Sequence, residues 1–345
     1  MSSVRIGLIG YGAWGKHHAR AIRETPGCEL VAVCARSEDS RRLAAADTGA
    51  AVHSDYRQLL ERSDIDAVDI VAPNYLHEEI AGAALEAGKH VLLEKPMATS
   101  IEACDRILAA ASRARRLLLV GHEMRFAEMY RTMRAMIDSG RLGKPRYVLI
   151  DLWRRPYRPG ADGWRLDPAR VGNWILEEPV HFFDVAAWFL EGAGEPATVF
   201  ARGNSSDAGD EPRPGVNDNF TALVGYRGGE YALISQSLAA VEHHLSIKVF
   251  GSRAMLRAEW HAELDRSERP AYSLEISEQG HLTPVAVEKT PGEFFELREE
   301  IAAFAAAVRG EAELPITPRE ARRAVALCLE AQRSLETGRV VVRTP

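Results

Sequence analysis

Short apolar runs alternate with amphipathic segments along the first third of the chain. The apolar runs have the length of strands, and the amphipathic segments have helical spacing. They predict strands at 4–9, 29–34, 67–72, 90–94 and 117–120, and helices at 16–24, 40–46, 74–86 and 101–113. Alternation of this kind indicates a parallel sheet with helices on both faces, and such sheets bind ligands beyond the carboxyl ends of their strands.

The pattern changes after residue 123. A helix at 127–137 leads to a strand at 147–153, a loop rich in Arg, Pro, Gly and Trp at 154–173, and a helix at 179–190. Most later runs alternate apolar and polar positions, which is typical of strands with one buried face. The predicted strands are 197–202, 220–226, 231–237, 245–250 and 254–259, with further strands expected between 271 and 289, then helices at 293–308 and 318–335 and a strand at 339–343.

The first predicted strand ends in a glycine-rich turn, Gly10-x-Gly12-x-x-Gly15, and a helix follows. Gly10 allows the sharp turn, Gly12 lets the backbone approach a pyrophosphate, and Gly15 lets the helix pack on the sheet. The helix N-terminus offers N–H groups and a positive dipole end to phosphates. In this context the turn predicts a dinucleotide site that includes Gly10, Gly12, Ala13, Trp14 and Gly15.

The end of the second predicted strand bears on the choice of coenzyme. NAD-binding folds place an acidic residue here, which binds the ribose 2′-OH. Arg36 and Ser37 stand there instead, and a guanidinium suits a 2′-phosphate. We therefore favour NADP over NAD, with Arg36 and Ser37 as contacts. Two alternatives stay open: Glu38 or Asp39 reaches the ribose, or Arg36 stacks on the adenine or lies in solvent.

These patterns together predict an α/β protein of two domains. Residues 1–123 form a Rossmann dinucleotide-binding domain. Residues 124–345 form an α/β domain with an open, mostly antiparallel sheet, which we expect to bind substrate and to mediate oligomerisation. The final helices can pack back on the first domain.

Composition and charge exclude several other classes of protein. The 345 residues carry a net charge of −6, and no basic stripe indicates a nucleic-acid partner. No apolar run has the length that spans a bilayer, and the chain starts without a signal-peptide pattern. The cysteines form no CxxC pair and lie in apolar segments, which indicates reduced thiols; they are Cys28, Cys34, Cys104 and Cys328. We expect a cytoplasmic protein without nucleic-acid or membrane partners.

Two motifs follow buried strands of the predicted parallel sheet. Pro73-Asn74-x-x-His77 comes after the third predicted strand, and Glu94-Lys95-Pro96 comes after the fourth. Both therefore lie at the edge where such sheets bind ligands, beside the nicotinamide. Pro96 stiffens the turn that carries Lys95.

With the glycine turn and His181-x-x-Asp184, these motifs resemble those of the Gfo/Idh/MocA oxidoreductases, named from glucose–fructose oxidoreductase and inositol dehydrogenase. The resemblance extends over nearly the whole chain, as far as residues 321–334 and Gly338-x-Val340. It implies hydride transfer between a nicotinamide and a hydroxyl-bearing carbon of a sugar, inositol or related polyol. It also implies a homodimer or homotetramer formed through the C-terminal sheet.

The resemblance further implies roles for the residues that follow the parallel strands. Lys95 corresponds to the catalytic lysine, which hydrogen-bonds the reacting hydroxyl and assists proton transfer. Pro73, Asn74, His77 and Glu94 line the coenzyme site together with Lys95. The alternative for Lys95 is a solvated surface charge, and the alternative for His77 is a helix-cap contact.

His181 corresponds to the histidine that this family presents to substrate. The family places an aspartate four residues before it and a glycine two residues before it, whereas this chain has Glu177 and Pro179. Lys95, His181 and Glu177 are the predicted catalytic residues, with Glu177 or Glu178 orienting the imidazole or binding a substrate hydroxyl. The alternative for His181 is a buried, hydrogen-bonded histidine. Pro179 at the first helical position would leave Glu177 just outside the helix.

Further residues are predicted to bind substrate. Arg125 lies in the segment that leads into the second domain, and it either reaches the substrate or only joins the domains. Aromatic and arginine side chains crowd the loop before His181, a combination that suits sugar rings and anionic groups. The predicted substrate contacts are Lys95, Arg125, Tyr157, Trp164, Glu178 and His181. No metal site is predicted, because neither His17-His18 nor His243-His244 has ligand spacing with a cysteine or carboxylate.

Two functions from other classes stay open. One is a non-catalytic regulator that senses a dinucleotide, although the presence of Lys95 and His181 argues against it. The other is a glycosidase that uses tightly bound NAD for transient oxidation. A shared fold does not separate these functions from a dehydrogenase.

Overall fold

The computed structural model describes residues 3–156, 159–205, 217–264 and 266–343. They divide into two compact units, each discontinuous in sequence. The first unit extends to Glu123 and also contains Ala169–Gly172 and Leu297–Val325, and the second contains the other described residues. No helix among the described residues combines the length and the apolarity needed to cross a membrane.

The first unit is built on a parallel sheet. Its described strands are β1 (Val4–Ile9), β2 (Cys28–Cys34), β3 (Ala51–His53), β4 (Ala67–Ile70), β5 (His90–Glu94) and β6 (Leu118–Gly121). Its helices are α1 (Ala13–Glu24), α2 (Glu38–Thr48), α3 (Tyr56–Leu60), α4 (His77–Glu86) and α5 (Ile101–Ala114). The strand order is β3-β2-β1-β4-β5-β6, so the carboxyl ends of β1, β4 and β5 lie side by side.

The central strands of this sheet read as continuous apolar runs because they are buried. β4 is buried along its whole length, and β5 is buried beyond its first residue. Leu8, Ile70 and Leu92 from three neighbouring strands are among the largest fully buried side chains of the chain. These strands give the turns that follow them a rigid base.

Three details of the first unit differ from the sequence-based predictions. α1 begins at Ala13, inside the glycine turn, and not at residue 16. The segment predicted as one helix from residue 74 opens with a 3-10 helix, Asn74–Leu76, before α4. β3 and α3 were not predicted, because a three-residue strand and a five-residue helix carry little periodic signal.

The second unit contains a mixed, mostly antiparallel sheet. Its described strands are β7 (Pro145–Trp153), β8 (Pro196–Asn204), β9 (Asn219–Tyr226), β10 (Tyr231–Ser237), β11 (His243–Gly251), β12 (Ala254–Ala262), β13 (Ala271–Glu278), β14 (His281–Pro284) and β15 (Val341–Val342). Their order is β14-β13-β12-β11-β7-β10-β9-β8-β15. Among the paired strands described in this sheet, β7 and β10 run parallel and all the other pairs run antiparallel. The predicted α/β fold class is confirmed, and β13 and β14 account for the strands expected between 271 and 289.

The remaining described α-helices are α6 (Glu128–Asp138), α7 (Pro168–Val171), α8 (Pro179–Phe189), α9 (Glu293–Val308) and α10 (Pro318–Thr337), and further 3-10 helices lie at Glu123–Phe126, Ala161–Leu166, Trp174–Leu176 and Glu191–Ala193. α8 packs against β7 and β10, and all of its residues except Trp188 are buried. A helix that is apolar on every side is typical of a buried element. Because α8 is packed on nearly all sides, its only histidine, His181, has a fixed position.

Candidate active site

The glycine turn after β1 has the geometry that its sequence predicts. Gly10 has φ +110, and a Cβ there would lie 2.2 Å from the Val71 carbonyl oxygen. A Cβ on Gly15 would lie 2.1 Å from the Gly10 carbonyl oxygen. A Cβ on Gly12 would instead project into open space. The turn thus packs tightly on its inner side and leaves the backbone of Gly12 accessible from outside.

The N-terminus of α1 suits an anion. Gly12 is its N-cap residue, no side chain caps the helix there, and no acidic residue occupies the first turn. The first N–H groups of a helix have no partner within the helix, and the helix dipole favours negative charge beside them. Together with the open side of Gly12, this arrangement fits the pyrophosphate of a dinucleotide coenzyme.

The residues after β2 that are predicted to contact the coenzyme differ in their surroundings. Arg36 is exposed. The Ser37 hydroxyl caps α2 by accepting a hydrogen bond from the Ser40 backbone N–H, 3.1 Å away. Arg41 donates to the backbone carbonyls of Ala35 and Arg36. The Ser37 hydroxyl therefore already has a structural task, whereas the Arg36 side chain lies at the surface.

His77 and Asn74 tie together loops of the first unit. His77 is buried, and its ring nitrogens lie 2.7 Å from the Pro96 carbonyl oxygen and 2.9 Å from the Ala72 carbonyl oxygen. Asn74 is also buried and donates its side-chain N–H to the Val171 carbonyl, 3.0 Å away. Both ring nitrogens of His77 face backbone carbonyls, so this side chain links the turns that follow β4 and β5.

A buried polar cluster lies beneath the glycine turn, and sequence reasoning missed half of it. Glu94 Oε1 accepts from the Trp14 indole N–H at 2.7 Å and lies 2.9 Å from His18 Nε2. His18 Nδ1 lies 2.7 Å from Asp69 Oδ2. We call Trp14, His18, Asp69 and Glu94 the His18 cluster. Two features of the sequence could have indicated the other two members. Asp69 is an acidic residue inside a buried strand, and His18 lies one helical turn after Trp14.

In this cluster one imidazole lies between two carboxyl groups, and each of the three groups shifts the pKa of the others. Burial lowers the pKa of the His18 imidazole, but the charges and hydrogen bonds of Asp69 and Glu94 outweigh it and raise the pKa to about 10. Burial raises the pKa of Glu94, whereas the hydrogen bond and charge of His18, then the Lys95 charge and the Trp14 hydrogen bond, bring it down to about 2. Burial raises the pKa of Asp69 against the opposing charge of His18. His18 is therefore an imidazolium beside a Glu94 carboxylate at neutral pH.

Lys95 follows this cluster directly. Its backbone N–H donates to Glu94 Oε2 at 3.2 Å, and its side chain is half-buried. It stands at the carboxyl end of β5, in the unit that carries the glycine turn. A lysine with this environment is more constrained than a solvated surface lysine.

In the second unit, His181 lies in the first turn of α8 and is 4% exposed. Pro179 occupies the start of the helix and Glu178 is the N-cap residue, so Glu177 lies outside the helix. The backbone N–H of His181 donates to the Glu178 carbonyl at 3.0 Å. The predicted consequence of Pro179 is confirmed: Glu177 does not share a helical face with His181.

Asp184, one turn after His181, is held by Arg125. The Arg125 guanidinium donates two hydrogen bonds of 2.6 Å to the Asp184 carboxylate, and both side chains are almost fully buried. The same guanidinium lies 5.3 Å from the centre of the Trp188 ring. This fork-to-fork geometry gives Arg125 a clear task in fixing α8, so its predicted contact with substrate rests on the family resemblance alone.

Two further ion pairs flank the start of α8. Arg165 Nε donates to Glu177 Oε2 at 2.7 Å, and Arg154 pairs with Glu178. Trp164 is buried, with the Arg165 guanidinium 4.8 Å from the centre of its ring. Tyr157, another predicted substrate contact, lies outside the described residues. Among the residues that are described, no group of three or more His, Cys, Asp or Glu side chains could hold a metal ion.

Known proteins share both the sequence and the fold of this chain. Residues 4–122 match the family model described as "Oxidoreductase family, NAD-binding Rossmann fold", and residues 130–257 match the "GFO/IDH/MocA C-terminal domain". The crystal structure of apo scyllo-inositol dehydrogenase from Lactobacillus casei superposes with a TM-score of 0.81 at 23% identity, covering 99% of this chain and 98% of that one.

Curated relatives extend over most or all of the chain. The inositol 2-dehydrogenase of Rhizobium meliloti is 30% identical, with 98% of this chain and 99% of the relative aligned. The 1,5-anhydro-D-fructose reductase of Ensifer adhaerens is 32% identical, with 73% of this chain and 74% of the relative aligned. The chain therefore belongs to the GFO/IDH/MocA family and is an NAD(P)-dependent oxidoreductase that acts on CH–OH groups.

Proposed function

We propose that this enzyme transfers a hydride between a nicotinamide coenzyme and a hydroxyl-bearing carbon of an inositol, a sugar or a related polyol, and that Lys95 and His181 handle the hydroxyl proton. The observation that carries the proposal is Lys95 at the carboxyl end of β5, next to the buried Glu94 and in the same unit as the glycine turn. The names of two relatives, an inositol dehydrogenase and an anhydrofructose reductase, support the substrate class.

The coenzyme's part in this proposal follows from the residues that fit it. Gly12 and the N-terminus of α1 would hold the pyrophosphate. When bound, the nicotinamide supplies the hydride-accepting or hydride-donating carbon, C4. The exposed Arg36 after β2 supports NADP over NAD, since a guanidinium binds a 2′-phosphate by charge-assisted hydrogen bonds.

Proton handling is assigned to two side chains. The Lys95 nitrogen hydrogen-bonds the reacting hydroxyl and takes or returns its proton. The His181 imidazole, held at the start of a fully packed helix, orients the same hydroxyl and shares its proton. Burial of His181 supports this role because an immobile imidazole keeps its geometry toward substrate through the reaction.

The ion pairs before α8 support a polyhydroxylated, uncharged substrate. Glu177 and Glu178 are each paired with an arginine, so this region carries no excess charge from them. Paired carboxylates and guanidiniums offer both acceptors and donors, which suits the hydroxyl groups of a ring such as inositol. We therefore assign Glu178 and Trp164 to substrate binding and Glu177 to positioning, through Arg165.

The first experiment mixes the purified chain with NAD or NADP and a panel of inositols, sugars and sugar acids, and follows the absorbance of the reduced nicotinamide. Lys95→Met is the matched variant. We expect turnover of at least one polyol, and a loss of about 10²- to 10⁴-fold in kcat in the variant with coenzyme binding retained. If no compound of the panel is turned over although the coenzyme binds tightly, the function is instead that of a dinucleotide sensor or an NAD-using glycosidase.

The exposed face of the second sheet is proposed to form a homodimer or homotetramer. Tyr147 stacks on Tyr231, with ring centres 4.5 Å apart, and on Phe250, at 5.1 Å. Leu223 and Tyr231 are 40% and 41% exposed. Exposed aromatic and aliphatic side chains grouped on one face are typical of interfaces. Light scattering on the purified chain measures the assembly directly.

A further inference from the structure

A cavity opens at the edge of the parallel sheet where its strands begin, and we call it the amino-edge cavity. Its volume is about 390 Å³, which is within the range of small-molecule sites. It is lined by Val4 at the start of β1, by His90 at the start of β5 and by Asp66 directly before β4. Coenzymes bind at the opposite edge, beyond the carboxyl ends of the strands. Further lining residues of the same unit are Arg116, two positions before β6, and Val308 and Arg309 at the end of α9.

The carboxylates at this cavity are already paired with arginines. Asp66 accepts three hydrogen bonds from Arg5, one from the backbone N–H at 3.0 Å and two from the guanidinium at 3.0 and 2.7 Å. The bond from the Arg5 side chain holds the pKa of Asp66 below its usual range. Glu311 accepts from the guanidinium of the lining residue Arg309 at 2.8 and 2.7 Å. Each of these two negative charges is therefore balanced by one arginine.

The wall has hydrogen-bond donors in excess. Arg116 Nε donates to the Gly88 carbonyl at 2.6 Å, and no carboxylate in the described part of the chain pairs with this guanidinium. His90 Nδ1 accepts from the Leu117 backbone N–H at 3.1 Å. Burial, and then the charge of Arg116, lower the pKa of His90, so its imidazole is neutral at pH 7. In a neutral imidazole whose Nδ1 atom accepts, Nε2 carries the proton and donates.

We propose that the amino-edge cavity binds a small organic anion, whose carboxylate or phosphate group is held by the Arg116 guanidinium and the Nε2–H of His90. A planar guanidinium binds either group through two charge-assisted hydrogen bonds. The buried Val4 and the half-buried Val308 offer apolar surface to the rest of the ligand. The proposed hydride transfer uses none of these residues, so this inference does not depend on it.

Such a ligand would connect two parts of the first unit that are far apart in sequence. Val308 and Arg309 belong to the late segment Leu297–Val325, whereas the other lining residues come from the first 116 positions. A molecule that binds the folded chain and not the unfolded one stabilises it by mass action. The bound anion should therefore raise the melting temperature of the chain.

The test measures the binding of malonate and of inorganic phosphate to the full chain by calorimetry, at constant ionic strength and with coenzyme present at saturation. The coenzyme occupies the N-terminus of α1, which would otherwise bind anions as well. We expect saturable binding of at least one probe with a dissociation constant on the order of millimolar, since either probe fills only part of the cavity. Binding of malonate alone indicates a carboxylate ligand, and binding of phosphate alone indicates a phosphorylated one.

Three variants locate this binding. Arg116→Met removes the unpaired guanidinium and should weaken binding at least about tenfold. His90→Asn keeps an acceptor for the Leu117 N–H but lacks the Nε2 donor, and it should weaken binding roughly three- to tenfold. Arg113→Met is the matched control, because it removes the same charge from an exposed arginine in the last turn of α5 that does not line the cavity. It should bind both probes as the wild type does.

The result that would overturn the proposal is an absence of saturable binding of both probes to the wild type. Equal binding by Arg116→Met and Arg113→Met would also overturn it, since a general attraction of anions to the surface explains that outcome. A third contrary result is a coenzyme dissociation constant that rises as much as that of the probe in Arg116→Met; we expect it to stay within about twofold. If Arg116→Met does not fold, His90→Asn decides, and undiminished binding in that variant refutes the site.

Discussion

Each of the two units buries charged side chains next to a proposed acid–base residue, and the two arrangements are built differently. Beside Lys95, one imidazolium bridges two carboxylates, Asp69 and Glu94. One turn after His181, Arg125 and Asp184 form a balanced pair with two parallel hydrogen bonds. An ion pair of equal and opposite charges fixes the positions of its two residues and adds little net electrostatic potential. A group with unequal charges also changes the electrostatic potential at neighbouring residues.

The largest expected effect breaks the balanced pair. Arg125→Met leaves the Asp184 carboxylate buried without its guanidinium, which typically costs about 3–5 kcal/mol of unfolding free energy. The double variant Arg125→Met with Asp184→Leu removes both charges and should recover most of this loss. Urea unfolding followed by circular dichroism measures both variants.

Arg42→Met provides the control for that comparison. Its guanidinium pairs with Asp39 at the surface, where both side chains are largely exposed, and exposed pairs contribute less than about 1 kcal/mol. If Arg125→Met destabilises no more than Arg42→Met, the buried pair does not hold α8 in place.

The next prediction concerns Arg36, whose charge lies at the protein surface and not in the interior. Arg36→Asp should shift the ratio of NADP to NAD efficiency toward NAD by roughly 10- to 100-fold, through loss of charge-assisted bonds to the 2′-phosphate. Because Arg36 is exposed, the wild-type preference should shrink as ionic strength rises. The measurement is kcat/KM with each coenzyme at two salt concentrations; a ratio unchanged by the substitution removes Arg36 from coenzyme selection.

The last expected effect depends on pH and comes from a second buried acidic group, Glu296 in α9. Burial raises its pKa to about 8, despite a hydrogen bond from the Gly292 backbone N–H. Between about pH 4.5, the ordinary pKa of the group, and about pH 8, the folded chain therefore keeps a proton on Glu296 that the unfolded chain has lost. The free energy of unfolding falls as pH rises through that window. Glu296→Gln keeps a hydrogen-bond acceptor for the Gly292 backbone N–H and should remove this loss of stability at high pH.

We expect Glu296→Gln to exceed the wild type by about 1 kcal/mol or more at pH 8.5 and to match it at pH 5. Melting curves at the two pH values measure the difference. Equal curves at pH 8.5 would show that the folded chain carries Glu296 in its charged form without penalty.

Features that depend on neighbouring residues could be predicted from the sequence. The glycine turn, the apolar strands and the start of α8 at Pro179 were predicted because each follows from local backbone geometry and periodicity. The position of Glu177 outside α8 was predicted on the same basis.

The pairing of distant polar residues could not be predicted. His18 meets Asp69, 51 positions away, only because β1 and β4 are neighbours, with Leu8 opposite Asp69 in their register. Arg125 and Asp184 are 59 positions apart. Such contacts depend on sheet order and helix packing, which a single sequence does not specify.

The first unit contains a late segment of the chain, and this has a consequence for synthesis on the ribosome. Leu297–Val325 belongs to it, and Arg322 of this segment pairs with Asp105 of α5 at 2.8 Å. The coenzyme-binding region is therefore incomplete until most of the polypeptide has been translated. A fragment that ends at residue 123 would leave apolar surface uncovered where Ile301 and Phe304 are otherwise buried, and we expect such a nascent chain to depend on chaperones until the last helices emerge.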